Sequence, residues 1–146
     1  ADRDHFNTVW HRLAPWPDTV AGLTRLKQRL TISTLSNGNL SLLVAMAKHA
    51  GLPWDAVLSA ELFGRFKPDL AVYLGAARLL GLAPDQVLMV AAHPFDLVAA
   101  KKAGLKTAYI PRPDEYGPGG RMEPVGDAVF DIVATDLVDL ATQLGC

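Results

Sequence analysis

The sequence predicts an α/β protein with a Rossmann-like parallel sheet and helices on both faces. Three observations carry this. Short apolar, β-branched runs alternate with amphipathic runs of helical period, in the order β-α-β-α-β-α-β-loop-β-α, the pattern of parallel strands joined by crossover helices. Polar clusters stand where apolar runs stop and helices begin: Ser36-Asn37-Gly38-Asn39, Lys67-Pro68-Asp69 and Ala91-Ala92-His93-Pro94-Phe95-Asp96. In an open α/β sheet such places are the carboxyl ends of strands, where ligands bind. The 146 residues, 50% apolar and 20% charged, suffice for one domain with a real core.

Residues 4–13 have weak helical spacing (Phe6, Val9, Trp10, Leu13), interrupted by the extended turn Pro15-Trp16-Pro17-Asp18. Residues 18–29 read as an amphipathic helix, with Val20, Leu23, Leu26 and Leu30 on one stripe. Residues 30–35 read as a strand, and Ser-Asn-Gly-Asn after them signals a helix start. The next helix, 39–49, ends at Gly51, a C-cap residue. Residues 57–60 form a short strand, and Pro68 fits the first turn of a helix reaching Leu80 and Gly81, because its missing N–H is no loss there. Strand 86–91, helix 96–103 stopped by Gly104, strand 106–110, a turn-rich loop 111–120, strand 129–134 and helix 136–144 complete the order. Trp10, Trp16 and Trp54 read as packing anchors.

A net charge of -1 leaves no electrostatic footprint for nucleic acid. No apolar stretch is long enough to span a membrane, and no basic run suits an anionic lipid surface. The single cysteine, Cys146, excludes an intrachain disulfide and a cysteine-based zinc site. With no signal-peptide pattern at the start, this fits a reducing, cytoplasmic setting.

Ser36 and Asn37, beside the amides of a helix start, would form an anion site for a carboxylate or phosphate. Plain helix capping is the ordinary alternative. Lys67 precedes Pro68 and so lies extended, outside the helix. Its ammonium would serve an anionic nucleophile or substrate, with a solvated surface lysine as the alternative. Asp96 falls in the first turn of a helix, where the dipole favours a carboxylate in any case. His93 stands in the loop before it, either in the site or bonded to backbone; His5, His11 and His49 show no ligand spacing with it. The period puts Tyr73 in the core, with a hydroxyl reaching the site as the alternative.

Together these loops resemble the haloacid dehalogenase superfamily, and within it the L-2-haloacid dehalogenases. Leu35-Ser36-Asn37-Gly38-Asn39 looks like the family's second motif, Lys67-Pro68-Asp69 its third, and Ala91-Ala92-His93-Pro94-Phe95-Asp96 its fourth. Leu13-Ala14-Pro15-Trp16-Pro17-Asp18 is similar to the stretch by which these enzymes re-enter the core from a helical cap. The domain boundaries implied are therefore 1–17, the end of the cap segment and re-entry, and 18–146, an incomplete core.

The resemblance implies hydrolytic dehalogenation of short 2-haloalkanoic acids. An Asp on the first strand displaces halide from C2, and water then hydrolyses the resulting ester to the 2-hydroxy acid. Ser36, Asn37 and His93 would contact the substrate or water, Lys67 would orient the nucleophile, Asp96 would position the hydrolytic water, and Tyr73 would support the site. Magnesium-dependent phosphatases of the superfamily resemble Gly-Asp-Ser-x-x-Asp in the fourth motif. Here Ala91-Ala92-His93 replaces the first carboxylate with a methyl group, so neither a metal nor another cofactor is expected. A phosphatase and a non-catalytic binding domain of the same fold are the alternatives. The Asp-bearing first strand and most of the cap are expected upstream of this chain, or on a separate complementing fragment. Without that strand the chain is expected to be inactive. A 2-halo acid is the expected small-molecule partner, and the resemblance also allows a homodimer.

Overall fold

The structure is a computed structural model that describes residues 9–117 and 119–146. In chain order its regular elements are α1 (Thr19–Lys27), β1 (Ser33–Ser36), α2 (Leu40–Ala50), β2 (Ala56–Ser59), α3 (Leu70–Leu79), β3 (Leu88–Ala91), α4 (Pro94–Lys102), β4 (Lys106–Tyr109), β5 (Ile132–Val133) and α5 (Leu137–Gln143). Single 3-10 turns lie at Trp10–Arg12, Ala60–Phe63 and Pro84–Gln86. The alternation of strands and helices is the expected one, and every strand pair is parallel. None of the described helices is long and apolar enough to cross a membrane. The chain divides into two compact units, Ala1–Gly64 with Asp136–Cys146, and Arg65–Thr135.

In the first unit β1 pairs with β2, Ser33 opposite Ala56 and Ser36 opposite Ser59. Leu23 and Leu26 of α1, Leu58 of β2 and Leu140 of α5 are buried in this unit. Helices α1 and α5 approach unusually closely. A Cβ added at Gly22 would fall 2.5 Å from Cβ of Leu137, so only a bare Cα fits there. Asp18 adds a polar tie, its Oδ2 accepting from the Leu137 N–H at 2.9 Å. Helix α2 ends as expected at Gly51, whose φ of 65° is the left-handed conformation glycine adopts without strain.

In the second unit the sheet order is β3-β4-β5, with Leu88 opposite Lys106, Ala91 opposite Tyr109 and Ala108 opposite Ile132. Helix α4 packs on β3 and β4 and buries Leu97 and Ala100. The fully buried Thr107 donates from both N and Oγ1 to Asp131 Oδ2, each at 2.8 Å. Those two bonds, with the nearby Lys101 charge, hold the Asp131 carboxyl below its ordinary range against the opposing effect of desolvation.

Several expectations are corrected. Pro68 lies before the helix, not in its first turn. Asp69 is the N-cap, its side chain accepting from Ala71 N at 2.9 Å, so the competing cap sets the boundary. Trp10 and Trp16 are 60% and 39% exposed and anchor no core; Trp10 sits in a three-residue turn that buries nothing. Of the helix expected at 4–13, residues 4–8 lie outside the described residues, Val9 is helical and Trp10–Arg12 form the 3-10 turn. Val20 and Leu30, at the ends of the α1 stripe, are exposed; Leu30 lies beyond the helix, which stops at Lys27. Among the described residues the strands form two parallel sheets, β1-β2 and β3-β4-β5.

Candidate active site

Lys67 lies outside the helix as expected but in a turn and not extended: Asp69 N donates to the Phe66 carbonyl at 2.9 Å across the cis Lys67–Pro68 bond, and the Asp69 cap then starts α3. Tyr73 lies on the buried face of that helix, with no exposed surface. Asp96, in the first turn of α4, is itself buried, at 5% exposure. The three side chains converge. Lys67 Nζ donates to Asp96 Oδ2 at 2.5 Å, and Tyr73 Oη donates to Asp96 Oδ1 at 2.5 Å. Each carboxylate oxygen thus has a short, charge-assisted donor, which is what a buried carboxylate requires. Burial first, and then the hydrogen bond and charge of Asp96, push the Tyr73 phenol far above its ordinary range, so it stays a neutral donor.

Lys67 is not a solvated lysine: its side chain is 12% exposed and that of Asp96 is 7%. The Tyr73 ring is buried in the core and its hydroxyl reaches Asp96. His93 occupies the N-cap position of α4 without a side-chain capping bond. Its ring nitrogens instead face two carboxylates, Glu115 Oε1 at 3.1 Å and Glu123 Oε1 at 3.3 Å. Neither glutamate was singled out from the sequence, because nothing local ties either to His93.

In the first unit, Ser36 ends β1 and its Oγ accepts from Gly38 N at 3.0 Å. Asn37 beside it is exposed. The amides at the start of α2 are partly taken by the protein itself. Glu61 Oε2 accepts from Leu40 N at 2.7 Å, and Asn39 Oδ1 from Leu42 N at 2.9 Å. Asn39, not Ser36 or Asn37, is therefore the helix cap. Ser59 Oγ steadies the same turn by donating to the Gly38 carbonyl at 2.7 Å. Among the described residues no group of three or more His, Cys, Asp or Glu side chains is placed to hold a metal ion.

Comparison with known proteins is decisive for the family. The model of the hydrolase family described as haloacid dehalogenase-like hydrolase matches residues 2–104. The chain belongs to the haloacid dehalogenase-like hydrolases. Within that family it is 34% identical over 120 residues to (S)-2-haloacid dehalogenase 4A of Burkholderia cepacia, an alignment covering 78% of this chain and 52% of the relative. The crystal structure of an L-2-haloacid dehalogenase matches it with a TM-score of 0.92 and 53% identity, over 96% of this chain and 62% of that one. The L-2-haloacid dehalogenase of Xanthobacter autotrophicus, solved with chloropropionic acid covalently bound, matches with a TM-score of 0.82 and 28% identity, over 97% and 65%. The chain spans about half the length of the curated haloacid dehalogenases it matches.

Proposed function

We propose that the protein to which these residues belong is a metal-independent 2-haloacid dehalogenase acting on short 2-haloalkanoic acids. The observation that carries this reading is the buried Lys67–Asp96–Tyr73 cluster, with Ala92 just past the end of β3 at the place of the first carboxylate in Gly-Asp-Ser-x-x-Asp. A magnesium-dependent phosphoryl-transfer site needs a further hard oxygen ligand, and a methyl group offers none. The names of the matched relatives support the same substrate class.

In this reading a carboxylate attacks C2 of the substrate in line. The new C–O bond forms as the C–halogen bond breaks, and halide leaves with the bonding pair. Water then adds to the acyl carbon of the resulting ester, loses a proton and releases the 2-hydroxy acid with inverted configuration, restoring the carboxylate. Lys67 balances the charge of the nucleophile, and Asp96, braced by Tyr73, places the water. Ser36, Asn37 and His93 hold the substrate or the water. The covalently bound chloropropionic acid of the Xanthobacter autotrophicus relative supports the ester step.

Of the described carboxylates, Asp18 is engaged at the start of α5 and Asp96 is engaged with Lys67 and Tyr73. In this reading the attacking Asp is a residue of a further strand, and the 146 residues alone release no halide. The test is halide release from 2-chloropropionate in the presence of a chelator. A protein that carries the Asp-bearing strand is expected to release halide, and the 146-residue chain is not. No halide from the former, or hydrolysis of phosphate esters in its place, would overturn the reading.

A further inference from the structure

Ser59 closes β2 with no exposed surface, in register with Ser36 at the end of β1. A hydroxyl this deep has to satisfy its proton and its lone pairs within the protein. Ser59 Oγ does so by donating to the Gly38 carbonyl at 2.7 Å and accepting from the Glu61 N–H at 3.2 Å. Both partners lie beyond the β1–β2 ladder, whose last pair is Ser36 and Ser59.

Gly38 is thereby held on both sides of its Cα. Its carbonyl is tied to Ser59, and its N–H donates to Ser36 Oγ at 3.0 Å. Two hydroxyls at neighbouring strand ends thus grip one residue of the β1–α2 loop. Glycine has the least restricted backbone of any residue, so these ties, and not a side chain, set the angle between its two peptide planes. Having accepted the Gly38 N–H, Ser36 Oγ keeps its own proton for another acceptor. The direction of that proton follows the Gly38 amide, and the amide follows Ser59.

The residues after Gly38 have ties of their own. Asn39 Oδ1 accepts from Leu42 N at 2.9 Å and from Ser41 Oγ at 3.1 Å, and Glu61 Oε2 accepts from Leu40 N at 2.7 Å. The Ser59 hydroxyl therefore acts ahead of the helix, on Gly38 and through it on Ser36.

We propose that Ser59 is a positioning residue: through Gly38 it aims the Ser36 hydroxyl at the carboxylate of the substrate. The inference rests on the dehalogenase reading, in which Ser36 holds the substrate, for its kinetic consequence.

Steady-state kinetics with 2-chloropropionate, in a protein that carries the Asp-bearing strand, read that consequence. S59A is expected to raise KM about three- to tenfold, the worth of one hydrogen bond, with kcat within about twofold of wild type. S59C puts a weaker thiol donor in the same place and is expected to fall between the two; it decides the matter if S59A does not fold. T34V is the structural control. Thr34 Oγ1 donates to the Leu58 carbonyl at 3.0 Å and accepts from the Leu58 N–H at 2.9 Å, so T34V removes two bonds between β1 and β2 and none in the loop. It is expected to lower the unfolding temperature and leave KM at the wild-type value. A KM unmoved in S59A, or raised equally in T34V, overturns the proposal.

Amide hydrogen exchange at Gly38, followed by NMR without substrate, reads the tie itself. Exchange in S59A is expected to be about tenfold faster than in wild type, as loss of one anchoring bond allows. An unchanged rate overturns the proposal. Faster exchange in S59A, with no halide released by any of the proteins including wild type, upholds the tie and overturns the dehalogenase reading.

Discussion

The Tyr73 hydroxyl reaches Asp96 from the fully buried face of α3, and at 2.5 Å it supplies one of the two donors that keep that carboxylate satisfied. Y73F deletes the donor and leaves the ring in place. Denaturant unfolding of Y73F is expected to show a loss of about 1–2 kcal/mol, the cost of an unmet buried acceptor. The raised ionisation of Tyr73 adds a pH signature. The folded state favours the neutral phenol, so its contribution is full below the unfolded value of about 10 and fades as pH rises beyond it. The alkaline loss of stability is expected to be shallower in Y73F than in the wild type.

Lys67 and Asp96 form a largely dehydrated ion pair. K67M strands a buried carboxylate and is expected to cost on the order of 3 kcal/mol. K67M/D96N removes the charge along with its partner and is expected to cost less than the sum of the single changes. A double-mutant cycle by urea unfolding reads the coupling directly. Additive single effects would show that the pair contributes nothing as a pair.

Gly22 is where α1 meets α5. In a free helix alanine is favoured over glycine by up to about 1 kcal/mol. Here the added methyl would lie 2.5 Å from Leu137 Cβ and 2.6 Å from its carbonyl carbon. G22A is expected to destabilise the protein by about 1–3 kcal/mol, as overpacking does, reversing the sign of the helix preference. Thermal unfolding of G22A beside wild type checks it.

Asp131 governs part of the acid response. Its carboxyl is held low by Thr107, so its contribution is present above the unfolded value of about 3.9 and is lost as pH falls through the lower folded value. D131N is expected to be less stable than wild type at neutral pH and to lose stability less steeply in that acid window. Parallel slopes for the two proteins would remove Asp131 from the account.

The alternation of elements was legible because short apolar runs, cap residues and glycines are local signals, as Asn39 and Gly51 around α2 illustrate. The three motif loops were legible for the same reason, since each lies just before a helix; two follow a strand directly, whereas Lys67-Pro68-Asp69 follows the 3-10 turn Ala60–Phe63. What stayed hidden depends on contacts distant along the chain. Helical spacing marked Tyr73 as apolar core, yet no spacing rule joins its hydroxyl to a carboxylate 23 positions later. Glu61 filling an amide of α2, and Glu115 and Glu123 on His93, belong to the same class. At Pro68 two local preferences competed, and the Asp69 cap set the helix start one residue beyond it.

The close contact of α1 with α5 has a consequence for biosynthesis. These helices bracket an uninterrupted run, Arg65–Thr135, that forms a compact unit of its own. As the chain leaves the ribosome, that run is complete before Leu137 emerges, whereas the first unit waits for its closing helix. The Leu23 and Leu26 face of α1 then spends the interval without the Leu140 side of its packing, and this window is where a chaperone or an aggregate would find exposed apolar surface.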